Sequence, residues 1–342
     1  MVQKFITQEE LNDLISRLIK EGKRVIAPAK VKNSILFSQI SAPTQVEIPH
    51  PLAKRSLKEF FFPPLETLFR FARENRHPSL IPESPNSSRT VVFGSRPCDA
   101  AALPILDEIF GWDYLDAYYF DRRKSTTVIS LSCSQASPGC FCGSVGLSPH
   151  SPQGSDLLLT GLNSGGYLVE IEGEKGEKLG IFGQDASPDQ RKEAQRIKEK
   201  AIESLEIKLD PGQIKNWLDK NFDHSHWQGV GNRCLGCGIC AYLCPTCHCF
   251  DIVDEGGFWV GEREKIWDSC CFSDFTKHAA GDNPRDLQYK RYRQRIMHKF
   301  KIYPDRFGKT LCTGCGRCSR YCPVNLDISK TLEEIQEMAL SG

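Results

Sequence analysis

The first apolar pattern in the chain is helical. Leu11, Leu14, Ile15, Leu18 and Ile19 recur at spacings of three and four, Thr7-Gln8-Glu9-Glu10 reads as a capping box ahead of them, and Gly22 ends the run. Residues 24–28 follow as a short strand. From 40 to 90 the chain is rich in Pro, Ser and aromatic residues, with a cluster Phe60-Phe61-Phe62, and is expected to form loops and irregular structure. At 90 the period changes. Residues 90–94 and 127–131 are continuous apolar runs of the kind that fill buried strands, and 99–110 between them is helical (Leu103, Leu106, Ile109, Phe110). Strand, helix and strand at this spacing predict a βαβ unit. Residues 157–160 and 167–171 add two strands, joined by a Gly-rich turn at 161–166. Charged amphipathic helices are expected over 187–206 and 211–222, and a short helix over 329–340.

The fold class this predicts is α+β. An N-terminal α/β domain (1–185) leads through a helical connection (186–228) into a C-terminal α-helical, ferredoxin-like dicluster domain (229–342). That last assignment comes from the cysteines.

The chain has 16 cysteines in 342 residues. No apolar run is long enough to cross a bilayer, and Met1-Val2-Gln3-Lys4-Phe5 has no apolar leader segment, so a cytoplasmic protein is expected. In a reducing compartment such a cysteine density points to metal binding or thiol chemistry rather than disulfides. The formal charge of +1 argues against a nucleic-acid binder driven by bulk charge.

Two runs share the spacing C-x2-C-x2-C-x3-C-P: Cys234, Cys237, Cys240, Cys244-Pro245 and Cys312, Cys315, Cys318, Cys322-Pro323. Three cysteines at this interval form a tight loop facing three corners of a cubane. The fourth, a helical turn further on, points to the other cluster in two-cluster ferredoxins. The reading is two [4Fe–4S] clusters: Cys234, Cys237, Cys240 and Cys322 on one, Cys312, Cys315, Cys318 and Cys244 on the other. Zinc would compete for a single C-x2-C pair, but two full copies with terminal Pro favour iron–sulfur. Gly236, Gly238, Gly314 and Gly316 leave room for backbone N–H groups near the sulfurs. The long stretch between the runs does not suit a compact ferredoxin; helical patterns around 272–280 and 286–300 suggest an α-helical dicluster domain carrying an insertion.

Cys98, Cys133, Cys140 and Cys142 follow the predicted strands of the α/β domain. Parallel neighbours bring their C-terminal ends together, where such sheets build sites. Four thiolates there would hold a third [4Fe–4S] cluster; the alternative is a small core residue at Cys98 with the others incidental. Cys140-Phe141-Cys142 is not the C-x-x-C redox spacing. Cys247, Cys249, Cys270 and Cys271 have no placement from sequence, and His248 between the first two suits packing or hydrogen bonding better than ligation.

Arg285 to Lys309 carries nine Lys and Arg against Asp286 and Asp305. Two compatible readings stand: a solvated face with some Arg packed near anionic clusters, and a docking surface for an acidic partner. No dinucleotide fingerprint, P-loop, zincin or nucleophile-elbow motif occurs, so no catalytic residue is assigned.

Gly94-Ser95-Arg96-Pro97-Cys98-Asp99, Cys140-Phe141-Cys142 and Cys244-Pro245-Thr246-Cys247-His248-Cys249-Phe250 resemble the β subunits of sulfhydrogenase-type nickel–iron hydrogenases, and equally the A subunit of anaerobic sulfite reductase. The stretch from Trp267-Asp268-Ser269-Cys270 to Arg295-Ile296-Met297-His298-Lys299-Phe300 looks alike. The resemblance implies an electron-transfer subunit of a multi-subunit oxidoreductase of anaerobes. It would relay electrons between a flavin-containing, NAD(P)H-oxidising partner and a catalytic subunit: a hydrogenase, a sulfite reductase or a heterodisulfide-reductase-like protein. It does not select the terminal reaction. The rival readings are a chain that itself reduces a small sulfur compound at one of its clusters, and a metal- or redox-sensing regulatory module. No nucleic acid and no membrane span is expected.

Overall fold

The computed structural model describes residues 3–48, 52–74, 77–83, 88–181 and 183–341. Met1 and Val2 of the charged N-terminus, and positions 49–51, 75–76 and 84–87 of the stretch read as irregular, lie outside the described residues. Twelve strands are defined among those described: β1 (Gln3–Ile6), β2 (Arg24–Val31), β3 (Ser34–Gln39), β4 (Leu65–Glu74), β5 (His77–Pro82), β6 (Thr90–Ser95), β7 (Thr126–Leu131), β8 (Leu157–Gly161), β9 (Tyr167–Ile171), β10 (Gln184–Asp185), β11 (Phe250–Gly256) and β12 (Val260–Trp267). The protein is α+β, a sheet domain followed by a helical dicluster domain.

The large sheet runs β10-β1-β9-β8-β7-β6-β2-β3. Its centre is parallel, β2 on β6, β6 on β7 and β7 on β8, and its flanks are antiparallel. The central strands are buried on both faces, which is why they read as unbroken apolar runs. Val91, Phe93, Ile129 and Leu131 pack on one side with Leu11, Ile15 and Leu18 of the helix Gln8–Lys20. Val92 and Val128 face the other way, onto Leu103, Leu106 and Phe110 of the helix Ala102–Gly111 and the ring of Tyr119. The N-terminal helix carries the expected capping box, with Thr7 accepting from the Glu10 amide and the Glu10 carboxylate accepting from the Thr7 amide.

A second, four-stranded antiparallel sheet runs β11-β12-β4-β5. Sequence reading left 65–82 as irregular. The Pro residues of that stretch, Pro63 and Pro64 ahead of β4 and Pro78 and Pro82 in β5, hid an alternating strand pattern in Leu65–Glu74; Pro is tolerated there because β5 is an edge strand. Its partner β12 lies between the two cysteine runs, with Ile266 opposite Leu65. The helical pattern around 272–280 resolves only into a single turn, Asp274–Thr276, among loops.

The helical core gathers Ile214, Trp217 and Leu218 (Pro211–Lys220), Trp227 and Val230 (His226–Gly231), Tyr292, Ile296 and Met297 (Gln288–Met297), and Leu332 and Ile335 (Ile328–Ser341). Phe141, from the loop that carries Cys140 and Cys142, is fully buried in this same core. The third cysteine group is thereby packed into the dicluster domain.

Candidate metal centre

Each cysteine run builds the same local shape. Cys237 and Cys315 are followed by a glycine in the left-handed region (Gly238 φ 72°, Gly316 φ 68°), from which a one-turn helix starts (Ile239–Tyr242, Arg317–Arg320).

Cys234, Cys237, Cys240 and Cys322 line one cavity, together with Cys271 and Cys318. The fourth cysteine of the second run therefore stands with the first three of the first run. Reciprocally, Cys244 lies beside Cys312 and Cys315 and bears on the charge of both. Cys98, Cys133, Cys140 and Cys142 line a second cavity, and Cys315 forms part of its wall. β6 ends at Ser95 and β7 at Leu131, so the juxtaposition of Cys98 with Cys133 follows from parallel strand pairing. The second quartet thus borders both others: Cys318 lines the first cavity and Cys315 the second.

Burial makes free thiolates unfavourable here. It pushes Cys142 and Cys312 up to about 12 and Cys315 up to about 11, with Lys299 and Arg317 pulling the last two back. Such thiols ionise only with a cation to bind, which is the situation of a metal ligand. Donors already point at several sulfurs. The Gln288 amide donates to Cys234 Sγ (3.2 Å), the Gly314 N–H to Cys312 Sγ (3.4 Å), the Leu326 N–H to Cys322 Sγ (3.2 Å) and the Lys299 ammonium to Cys244 Sγ (3.4 Å).

Sequence reading allowed for Arg packed near anionic clusters without saying which cations those are. Helix Gln288–Met297 runs on into a π-helical turn, His298–Ile302, and together they turn Arg295 (4% exposed) and Lys299 (2% exposed) inward. Lys299 also donates to the Leu311 carbonyl and the Thr246 hydroxyl. Arg295 faces Cys240, Cys318 and Cys271, and its Nε and Nη2 have no hydrogen-bond partner among the described residues. A buried guanidinium left open toward thiols requires negative charge in front of it, and thiolate-ligated iron–sulfur clusters carry it. Of the basic run, Arg291, Arg293, Arg295 and Lys299 are buried, so these four belong to the packed reading and not to a docking face. The signal available was position: Arg295 and Lys299 are four apart on a helix whose apolar residues mark the same inward side.

Among the described residues, no three His, Cys, Asp or Glu side chains close around one point as a single ion requires. A zinc site needs sulfurs at about 2.3 Å from one centre, whereas a cubane spreads its ligands over four irons. The donor set and the open guanidinium fit iron–sulfur clusters.

The profile of the 4Fe-4S dicluster domain matches residues 233–326. The chain is 29% identical to the sulfhydrogenase 2 subunit beta of Pyrococcus furiosus over 327 residues, 93% of this chain and 94% of that protein. It is 26% identical to the F420-dependent formate dehydrogenase subunit beta of Methanocaldococcus jannaschii over 183 residues, 52% of this chain and 40% of that protein. None of the solved structures matches it significantly. The chain is therefore an iron–sulfur protein of electron transfer whose dicluster domain holds two [4Fe–4S] clusters. No helix among the described residues is long and apolar enough to cross a membrane.

Proposed function

We propose that this hydrogenase β-type 4Fe–4S protein is the relay subunit of a multi-subunit oxidoreductase, passing electrons between a flavin-containing, NAD(P)H-oxidising partner and a catalytic subunit. The ligands are Cys234, Cys237, Cys240 and Cys322 for one cluster and Cys312, Cys315, Cys318 and Cys244 for the other, with Cys98, Cys133, Cys140 and Cys142 holding a third. Bound clusters supply one-electron oxidation and reduction.

The observation that carries this reading is the shared wall: Cys318 lines the first cavity and Cys315 the second, so the quartet of the second run adjoins both other groups. The protein's own groups tune it. Arg295 places positive charge between the first and second quartets, Lys299 lies beside Cys244 and Cys312 of the second, and the Arg317 guanidinium stands between the second and third. Cys237 is exposed at one end of the series and sits beside exposed Leu235, which gives electrons a place to cross to a partner.

The test is reduction of the purified, anaerobically reconstituted chain, followed by visible bleaching and EPR. Dithionite should reduce it directly, and NAD(P)H only after a flavin-containing reductase is added. Reduction by NAD(P)H without that partner would overturn the relay reading.

A further inference from the structure

The four cysteines left unplaced by sequence are brought together by one hairpin. In the β11–β12 ladder Phe250 stands opposite Trp267, and the pairing extends one step further through the Asp268 N–H donating to the Cys249 carbonyl (3.0 Å). Cys247 and Cys249 therefore end one arm where Cys270 and Cys271 continue the other. The thiols of Cys249 and Cys270 are hydrogen-bonding neighbours, and Cys270 also contacts the thiol of Cys271. Cys247, Cys270 and Cys271 are buried and Cys249 is half-buried.

The surroundings are cationic. Lys58, 3% exposed, donates to the carbonyl of Cys247 (2.9 Å) and to that of Ala241 (3.3 Å), lies 3.9 Å from the centre of the Trp267 ring, and faces Cys247, Cys249 and Cys244. Half-buried Arg285 faces Cys270 and Cys249. Among the described residues no carboxylate forms an ion pair with Lys58, and this end of the hairpin, like the surroundings of Arg295, sets a buried basic group against thiols. The group also abuts the others: Cys271 Sγ lies 3.8 Å from Cys240 Sγ, and the Cys247 thiol contacts that of Cys244.

We propose that Cys247, Cys249, Cys270 and Cys271 hold a fourth iron–sulfur cluster, placed beside the first and second quartets as a branch from the series. Two cysteines from each arm of a hairpin form a compact all-thiolate donor set, and Lys58 and Arg285 offset the charge it carries. This rests on the electron-relay reading and extends it.

The experiment counts clusters per chain by native mass spectrometry, with iron and acid-labile sulfide, on anaerobically reconstituted full-length protein. In the Cys98→Ser/Cys142→Ser variant, which lacks ligands of the third quartet, about three clusters are expected. A count of two would overturn the fourth site, while fewer than two in the unmodified chain would instead overturn the relay reading. In a second, independent variant, Cys249→Ser/Cys270→Ser, iron should fall by about four atoms per chain relative to the unmodified protein, with the eight cysteines of the two C-terminal runs untouched. Unchanged iron there would also overturn it. Should one variant fail to fold, the other decides.

Discussion

Arg317, inside the second cysteine run, forms a fully buried two-pronged ion pair with Asp99, the residue after Cys98: Nη1 to Oδ1 is 2.6 Å and Nη2 to Oδ2 is 2.8 Å. Its Nε donates to the Ala53 carbonyl. One side chain thereby ties the dicluster domain to the sheet domain at the border between the second and third quartets. Removing one partner of a buried pair strands the other, at a cost of about 3–5 kcal/mol. Asp99→Ala should accordingly lower Tm by about 4–7 °C, while Asp99→Leu/Arg317→Met should recover much of the loss because neither partner of the pair is left without the other. An equally large loss in the double variant would show that the pair acts through something other than mutual neutralisation.

Arg295 contributes electrostatics rather than a clasp. Its charge lies among Cys240, Cys318 and Cys271, and adding an electron to a neighbouring cluster is easier with that charge present. Arg295→Met keeps the volume and removes the cation. The midpoint potentials of the C-terminal clusters should move negative, on the order of 100 mV for a unit charge at short range in a partly screened interior. An EPR-monitored redox titration reads this shift; potentials that do not move would remove Arg295 from the tuning set.

The third quartet is tested by metal content. Cys98→Ser/Cys142→Ser should lose about four iron atoms and a matching amount of sulfide per chain, with the spectra of the dicluster domain retained. Iron that stays at its original level would return Cys98 to the role of a small core residue with the other three incidental.

Much of this architecture is written locally in the chain. The buried strands at 90–95 and 126–131 show because both faces are covered, and the two cysteine runs because their spacing is a coordination geometry. What was illegible is non-local. β4 pairs with β12 across nearly two hundred residues as well as with its neighbour β5, and the distant partner has no local signal in Leu65–Glu74. Lys58 lies in a short turn with no motif about it, and its place beside Cys247 and Cys249 follows from that same sheet. Cys270 and Cys271 could not be joined to Cys247 and Cys249 without knowing that 250 and 267 are register partners. Arg317 was visible as a charge within a cysteine run, but its partner Asp99 was not.

His226 gives the protein an acid limb away from the cysteines. It packs against Trp217 and Trp227, and its Nε2 is buried with no hydrogen-bond partner among the described residues, 3.8 Å from a Glu334 oxygen. Burial lowers its pKa from the usual 6.5, with Glu334 pulling the other way. The unfolded chain then takes up this proton before the folded one does. Stability is unaffected by this group above its ordinary range and falls as pH drops through about 6.5 toward the folded value. His226→Phe should lose less Tm than the unmodified protein between pH 7.5 and pH 5.5. Parallel losses in the two proteins would exclude His226 as a source of acid sensitivity.

The contact between Gly314 and the Phe141–Cys142 backbone provides the sharpest test of how the second and third quartets are held together. The Phe141 N–H donates to the Gly314 carbonyl (2.9 Å), and a Cβ on Gly314 would stand 2.5 Å from Cys142 N and 2.5 Å from the Phe141 carbonyl carbon. Gly314 has φ 64°; Gly139, in the same loop as Cys140, has φ 78° with nothing within 4 Å of its Cβ position. Alanine at either site meets the left-handed backbone penalty of about 1 kcal/mol. Only at Gly314 does it also meet backbone atoms that cannot swing aside. Gly139→Ala should therefore cost about 1 kcal/mol and keep full iron, whereas Gly314→Ala should cost roughly twice that or more and lose iron from the quartet Cys98, Cys133, Cys140 and Cys142. The comparison is read by thermal unfolding and iron content side by side. Equal effects of the two alanines would mean that the loop and the second cysteine run are not in the close contact that joins their clusters.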